Sequence, residues 1–420
     1  MSQRNLKDVR TMNRANVFRI VCEQKSLSRQ SIADKLGLSK MSVVNIVSEY
    51  VDKGYFEEKI DLAEGSNRPV VGRPSFKVFV VPDSIIAMGI YISEAEVTCS
   101  LIDLECRILL SRTAIATTQE TNDELFAIID KLIGEVLRAG ERYVKNLFGI
   151  GISSVGLIDV EAGSILCADN FPNVADMRLK EYYTKRFRLP VVVANDMDAS
   201  TIAEKHYGAA VGVRNFLYIG IGGNSIGVGM CINDRIYYGH NGFAGELGYT
   251  TIKFDGRESK FGHPGQLESY IRVDNYVRQA NEDWQRGHPG MPDFPTDRPI
   301  QWDDIIREAH NGNAYCVEII HKIGDYLSLA IVNCINIFDP EKVVLGGQML
   351  AAGSILLDHV KQKTYNKSVR SLLVQHDIRK RYPKTELVVS GFGDRTMVVG
   401  SGEMCIRDRS RCRTCPGTAG

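Results

Sequence analysis

Residues 28–54 hold the tightest local constraint in the chain. Ser28 and Ser39 each precede a run of helical spacing, and Gly37 stands between them. A serine in such a place accepts a hydrogen bond from the backbone N–H of the first helical turn and so starts a helix. After Ser28, Ile32, Ala33 and Leu36 share one face. Gly37 can adopt the left-handed conformation that ends a helix. After Ser39 the apolar stripe is Val43, Ile46, Val47, Tyr50 and Val51, closed by Gly54. Upstream, residues 13–22 place Val17, Phe18, Ile20 and Val21 on a helical spacing. Two short helices joined by a tight Gly-containing turn make a helix-turn-helix.

The outer face of the third helix is expected to carry Lys40, Met41, Ser42, Val44, Asn45 and Ser48, with Ser39 at its start. A helix entering the major groove N-terminus first offers such residues to base edges. Lys40 suits guanine, Asn45 suits adenine, and Met41 and Val44 suit thymine methyls. An ordinary three-helix bundle with a solvated face is the alternative. Residues 55–60 and 76–81 read as two strands of a hairpin wing. Its tip holds Arg68-Pro69 and Gly72-Arg73-Pro74, stiff, extended and cationic. Arg in such a segment is favoured in a narrow minor groove; a plain interdomain linker is the competing reading.

Charge agrees with a DNA-binding head on a different body. Lys+Arg and Asp+Glu are both 51. Residues 1–80 nevertheless carry 14 Lys/Arg against 9 Asp/Glu, and residues 403–420 a further net +2, leaving −7 for the middle. That excludes a uniformly basic nucleic-acid binder and points to a local basic module. The 420 residues allow two or three domains. The longest uncharged run, residues 215–233, is broken by Gly and Asn, so no membrane partner is expected, and no signal peptide is recognised. Ten scattered Cys, with only Cys412 and Cys415 as a CxxC pair, fit reduced cytoplasm.

Beyond the head, strands are expected at 85–92, 97–103 and 107–114, an amphipathic helix at 124–138, and buried strands at 147–153 and 191–193. The order recurs loosely with strands at 215–221, 226–232, 235–238, 342–345 and 386–389, without a sequence repeat of fixed period. Two α/β lobes suggest a ligand cleft between them. Three places look chemical. Asn195-Asp196 follows a buried strand, at the usual ligand edge of a parallel sheet. Residues 220–229 (GIGGNSIGVG) let backbone approach a ligand. Glu246 in GFAGELG and Glu268 in QLE suit sugar hydroxyls.

The order Asn-Asp, Gly-rich hairpin, AGELG, LE, then DPEKVVLGG at 339–347, resembles the ROK (repressor, ORF, kinase) family of sugar kinases and sugar-responsive repressors. The resemblance spans about residues 12–402, and the winged head marks the repressor branch. It implies an α/β, two-lobed actin-like (ribonuclease H-like, sugar-kinase) fold preceded by a winged helix-turn-helix domain. It also implies that Asp196 matches the kinases' catalytic base, and that Asn195, Asp196, Glu246 and Glu268 bind a sugar.

Departures from the family pattern bear on activity. Where the kinases carry Asp-x-Gly-Gly-Thr, this chain reads Tyr91-Ile92-Ser93-Glu94-Ala95, with side chains where backbone must approach phosphate. The second phosphate loop reads Gly223-Asn224-Ser225-Ile226-Gly227 in place of Gly-Thr-Gly-Ile-Gly. The family's zinc ligands, one His and three Cys, fall at Tyr249, Ser259, Phe261 and Gln266, none a strong zinc ligand here. Residues 403–420 are expected to be a non-native or disordered tail in which Cys412 and Cys415 hold no metal.

The expectation is a cytoplasmic, sugar-responsive repressor of carbohydrate-utilisation genes, with no catalytic residue, cofactor or metal. Its partners would be operator DNA and an unphosphorylated sugar, and it would act as a homodimer or higher homo-oligomer. Expected domains are 1–82 (head), 83–200 and 201–402 (two lobes) and 403–420 (tail). The alternatives are an ATP-dependent sugar kinase of the same family and a regulator controlled by a protein partner.

Overall fold

The computed structural model describes residues 6–60, 76–169, 171–259, 262–295, 297–367, 369 and 384–407. The head begins with α1 (Leu6–Gln24), longer than its apolar spacing predicts, followed by β1 (Ser26–Ser28), α2 (Arg29–Leu36) and α3 (Lys40–Asp52). Both caps form as expected: Ser28 Oγ accepts from Ser31 N and Ser39 Oγ from Ser42 N, while Gly37 ends α2 at φ 62°. β2 (Phe56–Ile60) and β3 (Phe76–Val80) pair antiparallel, with Phe56 opposite Val80. β1, which has no sequence signal of its own, adds to β3 and makes the wing three-stranded.

The core of the head takes in residues from well outside it. Val17, Phe18 and Val21 of α1, Val43 and Val47 of α3 and Phe56 share one cluster with Ile85, Leu104 and Cys405. Phe18 stacks on Phe56 at 5.5 Å and meets Tyr50 edge-on at 5.4 Å.

The first α/β sheet takes β4 (Ile86–Ile92), β5 (Glu96–Ile102), β6 (Ile108–Ile115), β7 (Leu147–Ser154) and β11 (Val191–Asn195). Its order is β11-β7-β4-β5-β6, with β4, β7 and β11 parallel and the β4–β5–β6 meander antiparallel. α4 (Asn122–Ala139) opens with a capping box between Thr121 and Glu124 and buries Leu125, Ile129, Leu132 and Val136. The short α5 (Glu141–Val144) comes next. A separate three-stranded sheet, β8 (Leu157–Asp159), β9 (Ser164–Ala168) and β10 (Phe171–Met177), stands where no strand is expected from the sequence. Its strands are short and β10 buries only every third residue, so the period-2 signal of a strand is missing. α6 (Leu179–Phe187) and α7 (Asp196–Tyr207) flank β11.

The second sheet contains β12 (Phe216–Ile221), β13 (Ile226–Ile232), β14 (Arg235–Ile236), β15 (Lys342–Gly346) and β16 (Glu386–Val389). Its order is β14-β13-β12-β15-β16, again an antiparallel meander followed by two parallel strands. In both halves the third, second, first, fourth and fifth main strands lie side by side. The loose recurrence in the sequence is therefore a duplication of topology. Between β14 and β15 come α8 (Glu268–Ile271), α9 (Val273–Gln285), α10 (Trp302–His310) and α11 (Ala314–Phe338); α12 (Gly353–Lys367) precedes β16. α11 supplies much of this core through Ile319, Ile323, Leu327, Ile331 and Ile335.

The chain divides into two compact units: the described residues through Tyr207 together with those from Met397 onward, and residues 208–396. This corrects two expected boundaries. The cut at 200/201 falls inside α7, which continues to Tyr207. The cut at 402/403 falls inside the last helix, α13 (Thr396–Arg407), whose Glu403 to Ile406 are buried. α13 lies over paired glycines of the first sheet, Gly89 of β4 and Gly151 of β7. A Cβ on Gly151 would stand 1.7 Å from the Ser401 carbonyl oxygen, so only glycine permits this approach. Cys412 and Cys415 lie outside the described residues.

Candidate functional site

At the outer start of α3, Ser39, Lys40, Met41 and Asn45 are exposed, Met41 by 68%, while Ser42, Val44 and Ser48 are half-buried. Ser39 and Ser42 are tied to each other, Oγ to Oγ at 2.8 Å, so their hydroxyls shape the cap as well as face outward. Arg29 of α2 grips Glu58 of the wing at 2.7 Å and donates to Ser48 at 3.4 Å, fixing wing to helix. Arg14 and Lys53 hold Glu49 at 2.8 Å each on the far side, and these cations keep its carboxyl below the usual range against a burial effect that raises it. Arg68 and Arg73 lie outside the described residues.

In the first unit, Asn195 ends β11 and Asp196 starts α7. Asn195 donates to the Gly156 carbonyl at 3.1 Å and accepts from Met197 N at 2.8 Å. Asp196, 6% exposed, accepts from the same amide at 3.0 Å. A carboxylate at a helix N-terminus is stabilised by the helix dipole. The β4–β5 turn, which the family resemblance matches to a phosphate loop, is closed on itself. Ser93 Oγ accepts from Ala95 N and Glu96 N, at 3.4 and 3.1 Å, and Ser93 N donates to Glu96 O at 2.9 Å.

The second unit holds Glu246 and Glu268. Gly245, at φ 100°, lies so near β13 that a Cβ would stand 1.9 Å from the Val228 carbonyl oxygen; this lays the AGELG segment against the strand. Glu246 beside it is exposed. The β12–β13 loop is stitched to the start of α9, with Val273 N donating to Gly223 O and Asp274 N to Asn224 Oδ1. In the DPEK segment, Glu341 accepts from Arg214 N at 3.1 Å and Asn215 N at 2.9 Å, which ties together the starts of β12 and β15.

Glu268 lines a cavity of about 260 Å³ with Tyr249, Glu258, Ser259, Gln266 and Arg272 among its walls. Glu246 is not among the lining residues. Three of the four expected zinc positions therefore gather at one cavity; Phe261 lies outside the described residues. Backbone bonds and Tyr270 order the surrounding loop: Ile252 N donates to Gly265 O, Ser259 N to His263 O and Arg257 N to the Tyr270 hydroxyl at 2.8 Å. Arg272, which the motifs do not include, forks onto Asp274 at 2.6 and 3.2 Å and reaches Glu268 at 3.7 Å. Its available signal is the four-residue step from Glu268 along a helical turn.

A winged helix-turn-helix ahead of a duplicated five-stranded α/β body defines a protein of the actin-like, sugar-kinase fold with a DNA-binding type of head. The chain belongs to the ROK family, whose profile matches residues 87–405. It is 26% identical over 408 residues to the xylose repressor of Caldicellulosiruptor bescii, covering 95% of this chain and 96% of that one. With the DNA-binding transcriptional dual regulator NagC of Escherichia coli K12 it shares 24% identity over 357 residues, 85% of each chain. Among solved structures, a ROK family transcriptional regulator, a homolog of the E. coli MLC protein, superposes with a TM-score of 0.79 at 25% identity, covering 96% of this chain and 97% of that one. A ROK family glucokinase from Streptomyces griseus, solved with glucose and AMPPNP, shares the fold at a TM-score of 0.64 and 23% identity, over 76% of this chain and 98% of that one. No helix among the described residues is long and apolar enough to cross a membrane.

Proposed function

We propose that this chain is a DNA-binding transcriptional repressor of carbohydrate-utilisation genes, released from its operator by an unphosphorylated sugar. The observation that carries the reading is α3: capped, braced by Arg29 and Glu58, and exposing Lys40, Met41 and Asn45 together. The full-length likeness to regulators named for xylose and for N-acetylglucosamine repression supports it. Two heads in a homodimer would read paired half-sites. Arg68 and Arg73 would add contacts from the wing, in the minor groove. Asn195, Asp196, Glu246 and Glu268 are the proposed effector ligands, supplying acceptors and one amide to sugar hydroxyls.

In this reading the protein is not a kinase. The Ser93 hydroxyl occupies amides that a phosphate loop would turn toward ATP, and Glu94 places negative charge beside them. Asp196 then serves as a hydrogen-bond acceptor. An inducer acts only through a difference in affinity between two states, and 10–100-fold induction needs about 1.4–2.7 kcal/mol of it. The test is operator affinity with and without sugar for Asp196→Ala. It should bind operator normally and fail to release it, whereas normal sugar-induced release would place the effector elsewhere. The second reading, an ATP-dependent sugar kinase, draws on the buried Asp196 carboxylate at the head of α7. Sugar phosphorylation by the purified protein would put it first.

A further inference from the structure

The cavity at Glu268 carries a charge and a side-chain amide facing inward that narrow what it can take. Its walls within the second unit include Glu258, Glu268 and Asp274 against one guanidinium, Arg272, a net of −2 among the described lining residues. That guanidinium is committed. Its Nε and one terminal nitrogen donate to the two oxygens of Asp274, at 3.2 and 2.6 Å, and the other terminal nitrogen faces Glu268 at 3.7 Å. Asp274's carboxyl lies below its usual range because the Arg272 hydrogen bonds outweigh the opposing effect of burial. An anionic ligand would have to break this fork and meet two further carboxylates.

Gln266 is the independent observation. It is 7% exposed and lines the cavity, and its side-chain amide makes no hydrogen bond to a described residue. With the rest of the residue buried, the amide is left facing the cavity, where the hydroxyl groups of a ligand can take the place of solvent. Tyr249 and Ser259 bring hydroxyls to the same walls, and Glu258 and Glu268 bring acceptors. The volume of about 260 Å³ is slightly under the roughly 300 Å³ at which small-molecule pockets usually begin.

We propose that this cavity selects a cationic amino sugar, a monosaccharide bearing a free ammonium group, over the neutral parent sugar, and rejects sugar phosphates and sugar acids. Gln266 is the residue that recognises its hydroxyls. The proposal rests on the repressor reading for its biological sense, but its test is independent of DNA. Two net negative charges about 6 Å from an ammonium in a water-like dielectric favour it roughly tenfold over the uncharged parent.

Calorimetry on the full chain with matched sets decides the matter: glucose, glucosamine and glucose 6-phosphate, and the galactose and mannose counterparts. In at least one set the amine should bind roughly tenfold tighter than the parent, the preference should shrink with added salt, and the 6-phosphate should bind weakest. Gln266→Leu should weaken amine and parent alike by about tenfold while preserving their ratio. Arg272→Gln should widen the amine preference. Equal or weaker binding of the amine, tightest binding of the phosphate, or no binding in any set at millimolar concentration would each overturn the proposal. Operator binding, measured separately by fluorescence anisotropy, distinguishes this failure from a failure of the repressor reading.

Discussion

Replacing Gly151 by Ala tests how α13 is held in the first unit. Gly151 pairs with Gly89 in neighbouring strands, and the α13 backbone crosses above them. The new Cβ would stand 1.7 Å from the Ser401 carbonyl oxygen, whereas a carbon–oxygen contact settles near ~3.3 Å. α13 must therefore retreat by about 1.6 Å, because the obstacle is backbone and cannot rotate away. That retreat would pull Ser401 from Ser153, with which it shares a 2.6 Å hydroxyl contact, and loosen Met404 to Ile406, all buried. Overpacking of this kind costs about 1–3 kcal/mol, and a rigid obstacle places it at the upper end. At roughly 2–4 °C per kcal/mol for a unit of this size, the midpoint should fall by about 6–12 °C. The control is Gly134→Ala, within α4 with nothing inside 4 Å of the added Cβ. It should be neutral or stabilising by about 0.5–1 kcal/mol. Thermal unfolding followed by circular dichroism reads both. Equal midpoints for Gly151→Ala and wild type would refute this docking of α13.

Lys40→Ala and Asn45→Ala should each cost about 1–3 kcal/mol on the operator and relax its sequence preference, and Arg73→Ala should weaken binding evenly and reduce the salt slope; anisotropy titrations at several salt concentrations check all three. Asp304, 1% exposed, accepts from Arg298 at 2.6 and 2.9 Å, from Gln301 N and from Arg307, and the Arg298 hydrogen bonds lead in holding its carboxyl far below the usual range. Its folded pKa lies below the unfolded value near ~3.9, so its contribution is complete above that pH and fades as pH falls through the folded value. Asp304→Asn should therefore lose about 1.5–3 kcal/mol at pH 7, with the gap to wild type narrowing in strong acid, as urea titrations across pH would show. Elemental analysis should find no stoichiometric zinc, given Tyr249, Ser259 and Gln266 at the matching places; one zinc per chain that survives removal of residues 408–420 would contradict this.

The sequence alone determined the parts whose physics is local. Ser28, Ser39 and Gly37 act within one helical turn and the apolar stripe of α4 repeats within a few residues, so local spacing suffices to place α2, α3 and α4. The buried strands β4, β7, β11, β12 and β15 announce themselves as apolar runs. Tertiary structure decided the rest. The shared strand order of the two halves rests on backbone hydrogen bonds between distant segments, which dissimilar apolar sequences satisfy equally well, so it leaves no repeat to read. β1 is a strand only because β3 offers it an edge. α13 rejoins the first unit through paired glycines on β4 and β7, a fit between surfaces far apart in the chain. Arg272 and Gln266 become cavity residues only when the loop after β14 folds back over α8 and α9. Local pattern sets what each segment can form, and nonlocal packing selects which side chains meet and with what charge.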